Sequence, residues 1–199
     1  MIFRFASGAT AGAEWTLRGV VSLCILGGVV CGVFALGGCS DKTRWRSATD
    51  ATGKYSADFP DAPQMEIDKI VLDETHQVGM RTQTATNKNG VTYAVGAMIL
   101  PEDSDAMRRL AQRALLDGMA RNVAHAVAPA PVSMTAADGT VLSGESWQST
   151  DTVPGTRQSR VVRAQFVSRG DRVYEVVIVG EHLPSDQDQQ RFFNAFKPF

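Results

Sequence analysis

Hydrophobic and polar residues change their spacing several times along this chain. From Val20 to Leu36 the chain is apolar without a single charge. Ser40 to Thr52 is polar and has no hydrophobic period. From Gly53 onward the pattern alternates. Tyr55, Ala57 and Phe59 are separated by Ser56 and Asp58, the period of a strand with one face buried. Pro60 and Pro63 close that strand. Gln64 to Leu72 alternates again, and Met65, Ile67 and Ile70 are the predicted inward residues. Val78–Thr86 and Val91–Leu100 flank Asn89-Gly90, a pair that tolerates the positive φ of a type I′ turn. A two-residue loop sets Lys88 opposite Val91, Thr86 opposite Tyr93, Thr84 opposite Val95, Thr82 opposite Ala97 and Met80 opposite Ile99.

The period then becomes helical. Between Ser104 and Val127, the residues Met107, Leu110, Ala111, Ala114, Leu115, Met119 and Val123 recur at steps of three and four. Asp103, Ser104 and Asp105 offer N-caps and negative charge at the start, and Pro129 and Pro131 forbid continuation. Asp138-Gly139 predicts a hairpin joining Val132–Ala136 to Val141–Trp147. A third hairpin, Val161–Ser168 with Val173–Gly180, turns at Gly170-Asp171. A two-residue loop there would set Phe166 against Glu175, a poor core pair. An odd loop puts Val162, Ala164 and Phe166 on one face with Tyr174, Val176 and Ile178, and that register is the predicted one. Ser185–Phe196 is a short C-terminal helix that Ser185 or Asp186 can cap, with Phe192, Phe193 and Phe196 on one side. About eight strands, one long helix and this short one make the class α+β, an antiparallel sheet with helices packed on it.

Charge and cysteine usage narrow the picture. The chain of 199 residues has 20 basic and 21 acidic side chains. Near-neutrality provides no electrostatic footprint for nucleic acid. Beyond Cys39 there is no cysteine, so the alternating region can have neither a disulfide framework nor a cysteine metal site.

The apolar run has the parts of an export signal: Arg4 and Arg18 before it, an uncharged middle, and a small-residue end. That end, Leu36-Gly37-Gly38-Cys39, resembles the lipobox of bacterial lipoproteins. In such signals the cysteine thiol takes a diacylglycerol group, and cleavage follows between Gly38 and Cys39. Val30 before Cys31 and Leu23 before Cys24 make those cysteines poorer candidates. The run also approaches the ~20 residues that span a bilayer, so an uncleaved signal anchor is the alternative. The predicted organisation is a signal peptide at 1–38, a lipidated cysteine and flexible tether at 39–52, and a globular domain at 53–199. A tether of that length reaches roughly 20 Å. Trp45 within it could meet the membrane interface or pack on the domain.

Gly53-Lys-Tyr-Ser-Ala-Asp-Phe-Pro60, the following Asp61-Ala-Pro63 and the closing Arg191-Phe-Phe-Asn-Ala-Phe-Lys197 resemble the ends of small bacterial PsbP-like lipoproteins. The long helix between strand groups fits the same family. The resemblance implies an α/β/α sandwich and roles in binding and assembly, with no shared catalytic residues to carry over. Fold alone does not set function.

Few residues along the chain have the spacing of a catalytic or metal-binding motif. His76, His125 and His182 are scattered, without metal-ligand spacing. Gly144-Glu145-Ser146-Trp147-Gln148 lacks the last glycine of a nucleophile elbow and reads as strand. Arg169-Gly170-Asp171 is explained by turn chemistry. Arg108, Arg109, Arg113 and Arg121 fit a solvated helix face. The expectation is a non-enzymatic lipoprotein of the bacterial envelope without metal or cofactor. It is held to the membrane by acyl chains, palmitate among them, on Cys39, faces the periplasm, and binds another envelope protein. Ser40 after the cysteine suggests an outer-membrane address. An enzyme with a cryptic, hydrolase-like site is the other class; converging polar groups in a pocket would favour it, and an exposed apolar patch would favour binding.

Overall fold

The computed structural model describes residues 44–121, 127–152 and 159–199. The signal segment, Gly38, Cys39, Ser40, Val123 and His125 lie outside the described residues. Among the described residues no helix is long and apolar enough to cross a membrane.

The fold is mixed α+β, dominated by antiparallel sheet. In chain order the elements are β1 (Arg46–Asp50), β2 (Tyr55–Phe59), β3 (Gln64–Val71), β4 (Gln77–Thr86), β5 (Thr92–Ile99), α1 (Asp105–Ala120), β6 (Ala130–Thr135), β7 (Val141–Thr152), β8 (Ser159–Arg169), β9 (Arg172–Gly180), α2 (Asp186–Ala195) and β10 (Lys197–Pro198). Seven strands form one sheet in the order β3-β4-β5-β9-β8-β7-β6, and β1-β2-β10 form a small second sheet.

Each face of the large sheet carries its own core. On one face lie Tyr93, Val95 and Ala97 of β5 with Tyr174, Val176 and Ile178 of β9. The small sheet and α2 cover them with Tyr55, Phe59, Phe192 and Phe196. The rings interlock edge to face, Tyr93 with Phe192 at 5.1 Å and Tyr55 with Tyr174 at 6.1 Å between centroids. On the other face Met98, Ala164, Phe166, Val173 and Val177 pack beneath Met107, Ala111 and Leu115 of α1. Ser104 caps α1 by accepting from the Met107 amide at 3.2 Å, and Ser185 caps α2 by accepting from the Asp188 amide at 3.2 Å. Phe192, Phe193 and Phe196 are all buried.

Several expectations change. Arg46–Asp50, expected as tether, is β1, so the folded part begins upstream of Gly53. Its side chains are mostly exposed, so no apolar period marks it. It is held by pairing with β2 and by Asp50, which receives Arg81 Nε at 2.7 Å and Nη2 at 3.1 Å. Burial pushes the Asp50 carboxyl up, but Arg81 and the Gly53 and Thr52 amides outweigh it and hold the group below its usual range. Trp45 packs on the domain, edge-on to Tyr93 and beneath the Arg191 guanidinium. Helix α1, expected over 104–127, occupies Asp105–Ala120.

Two registers also differ by one residue. Gly90 donates to the Asn87 carbonyl and Asn87 pairs with Val91, so the loop has three residues and Gly90 takes φ +76°. The Asn87 side chain selects this turn by accepting from the Asn89 and Val91 amides, both at 3.0 Å. Thr84 therefore faces Ala94, not Val95. At the third hairpin Arg169 pairs with Arg172, leaving a two-residue loop, and Phe166 lies opposite Glu175. Phe166 and Tyr174 thus belong to opposite faces, and the expected odd loop is overturned. The pair that seemed too poor for a core is present because Glu175 fits over a glycine and burial disfavours its charged form.

Candidate interaction surface

The outermost strand β3 touches the sheet only through β4, in register from Gln64 with Thr84 to Val71 with Gln77. Its other edge pairs with no described strand, so a row of backbone N–H and C=O groups faces away from the described sheet. The expected inward direction of Met65 and Ile67 is not what this strand adopts. Met65, Ile67, Lys69 and Val71 lie on the sheet face that carries the aromatic core, but β1-β2-β10 and α2 stop short of them. Ile67 and Val71 are each 64% exposed and Met65 is 37% exposed. Ile70 points the other way and packs against the core under α1. Among the described residues the other exposed large apolar side chains are Val141 at the start of β7 and Val127 and Phe199, which lie outside the strands and helices.

The opposite edge, β6, is built differently. Pro131 within it and Pro129 before it have no N–H to offer. Lys197 Nζ donates to the Thr135 carbonyl at 3.2 Å, and the Ala137 amide to the Pro198 carbonyl at 3.0 Å. Natural sheets blunt their edges with such devices. β3 contains no proline and is covered by no described segment.

The other candidates are dispersed. Ser146 lies in β7 and donates to the Ala130 carbonyl at 3.3 Å, and Glu145 accepts from Gln112 of α1 at 2.7 Å. Arg169-Gly170-Asp171 forms the β8–β9 turn, where Arg169 donates to Asp138 at 2.8 Å and Asp171 accepts from Lys54 at 3.2 Å. Arg108 is engaged by Asp103, Asp105 and the Gly170 carbonyl, whereas Arg109, Arg113 and Arg121 are exposed. His76 lies in the β3–β4 turn beside Asp73, with Nδ1 at 2.9 Å from Oδ1. His182 borders a shallow groove with Asn87 and Asp188. Among the described residues no cluster of three His, Cys, Asp or Glu is placed to hold a metal ion.

One ionisable group, weighed in the sequence only as a pairing partner, is buried in the core. Glu175 is 2% exposed, and its Oε1 has no hydrogen-bond partner among the described residues. Its side chain crosses Gly96, where a Cβ would come within 2.8 Å of the Glu175 Cγ and 2.3 Å of the Met80 Cε. Burial alone pushes its carboxyl up to about 7. The only available signal was the strict alternation of β9, in which Glu175 occupies a position otherwise taken by Val173, Val177 and Val179. The group is sealed between sheet and helix. Its burial there favours the neutral form of the carboxyl over the charged one.

No protein-family model matches the chain, and no curated protein matches it.

Proposed function

We propose that the protein is a bacterial envelope lipoprotein, anchored through acyl chains on Cys39, whose domain binds or helps to assemble another envelope protein. The observation that carries the binding half is the exposed apolar row of Met65, Ile67 and Val71 on the outer strand β3, an edge that has charged side chains but neither proline nor a described covering segment. A monomer gains nothing from leaving Ile67 and Val71 in water on an edge that can template a further strand, whereas a binding module gains both contacts. The anchoring half rests on Leu36-Gly37-Gly38-Cys39 and the charge-free run before it. Two helices on an antiparallel sheet are compatible with the PsbP-like sandwich that the ends of the domain resemble, and we carry that family as part of the proposal. Periplasmic exposure, and an outer-membrane address through Ser40, follow from the same reading.

Metabolic labelling with palmitate tests the anchor. Wild-type protein should incorporate label and lose residues 1–38; Cys39→Ala should do neither and should accumulate as precursor in the inner membrane. Unlabelled wild-type protein that retains residues 1–38 would establish the signal anchor instead. Chemical cross-linking in intact envelopes tests the binding half: a discrete adduct of the wild type should disappear in Ile67→Asp.

A further inference from the structure

We infer that the open edge of β3 takes up an extended strand of a different protein, one whose side chains alternate between apolar and basic. This rests on the proposed reading of the domain as a binding module and specifies its partner.

Recognition by strand addition uses backbone groups for affinity and alternate side chains for specificity. β3 offers both. Met65, Ile67 and Val71 form an apolar row on one face, interrupted by Lys69. On the other face lie Glu66 and Asp68, opposite Thr82 and Met80 of β4. Neither acid makes an ion pair with a described residue. An incoming strand with apolar side chains toward the first face would extend the row over Ile67 and Val71. Basic side chains at its alternate positions would stand beside Glu66 and Asp68, where opposite charges across strands attract.

A second copy of this chain fits the edge poorly. Antiparallel pairing about a two-fold axis keeps each sheet face continuous, so facing residues must both be odd-numbered or both even-numbered. Four such registers overlap β3 substantially. They set Glu66 against Glu66, Glu66 against Asp68, Asp68 against Asp68, or Lys69 against Lys69. Each places like charges directly opposite, which is destabilising. The same charges that repel a copy attract a basic strand, so the edge discriminates by repulsion as well as attraction.

The test uses the full-length protein in detergent micelles and two end-blocked eight-residue peptides, one alternating Val with Lys and one alternating Val with Glu. Binding is read by fluorescence anisotropy and β3 protection by amide hydrogen exchange. The Val/Lys peptide should bind about tenfold more tightly or better and slow exchange across Gln64–Val71. The double variant Glu66→Lys/Asp68→Lys should reverse the preference. Equal affinities, or binding without protection of β3, would overturn the inference. So would a wild-type dimer in sedimentation that Ile67→Asp dissolves, since that makes a second copy the occupant. If the peptides fail while Ile67→Asp still abolishes the envelope adduct, the strand chemistry is wrong and the binding module stands.

Discussion

β2 and β3 are neighbours in the chain and carry the same alternation, yet they end in opposite environments. Tyr55 and Phe59 are fully buried, whereas Ile67 and Val71 are each 64% exposed. The difference is what lies above each strand. β2 is the middle strand of the small sheet and lies over the aromatic face, where Phe59 meets Phe192 at 5.8 Å and Tyr55 meets Phe196 at 5.8 Å between centroids. β3 extends the large sheet past the limit of that cover. Alternation therefore states that a strand has an apolar face. It does not state that the same chain covers that face.

The comparison is easiest to break at its buried end. Phe59→Ala should cost about 3–5 kcal/mol, the range for deleting a buried ring from a packed core, measured by denaturant unfolding. A loss within about 0.5 kcal/mol would mean that β2 is not the internally satisfied strand described here.

Glu175 sharpens the comparison by asking what burial does to a residue that is not apolar. Its carboxyl is raised from 4.5 to about 7 in the folded protein, so the native state holds a proton that the unfolded chain releases. Its contribution is fully present below about pH 4.5 and is lost as pH rises through about 7, a fall of roughly 3 kcal/mol. Glu175→Gln retains a neutral side chain at every pH. The stability difference between the two proteins should therefore shift in favour of the variant between those limits. A difference independent of pH would show that Glu175 is already ionised or solvated.

Gly90→Val addresses register. Nothing lies within 4 Å of a Cβ placed there, so the cost is the positive φ alone, about 1–2 kcal/mol for a branched residue. Hydrogen exchange should show the loss at the β4–β5 tip and leave β3 unchanged. The smallest effect belongs to the exposed row: Ile67→Ser should change stability by no more than about 0.5 kcal/mol. A cost near that of Phe59→Ala would erase the distinction between β2 and β3.

Much of this fold was legible in the sequence, and the misses share physical causes. The core phase of β2, the caps Ser104 and Ser185 and the Phe192–Phe196 face follow from local period and capping chemistry. The two hairpin registers failed because the Asn87 side chain sets one loop length, and because the core accommodates Glu175 over Gly96, a fit that alternation does not express. β1 was invisible because backbone pairing and the Asp50–Arg81 ion pair hold it instead of apolar burial. The candidate surface was half legible. β3 read clearly as a strand, but no local pattern encodes where the covering layer ends.

The central claim is that the β3 row is covered by another protein, and in-cell photo-cross-linking tests it most directly. A photo-reactive residue at position 67 should give one discrete protein adduct, and its cross-linked peptide should alternate apolar with basic residues. The same residue at position 141, also exposed, should give none. Absence of an adduct at 67, or identical adducts at 67 and 141, would contradict the account.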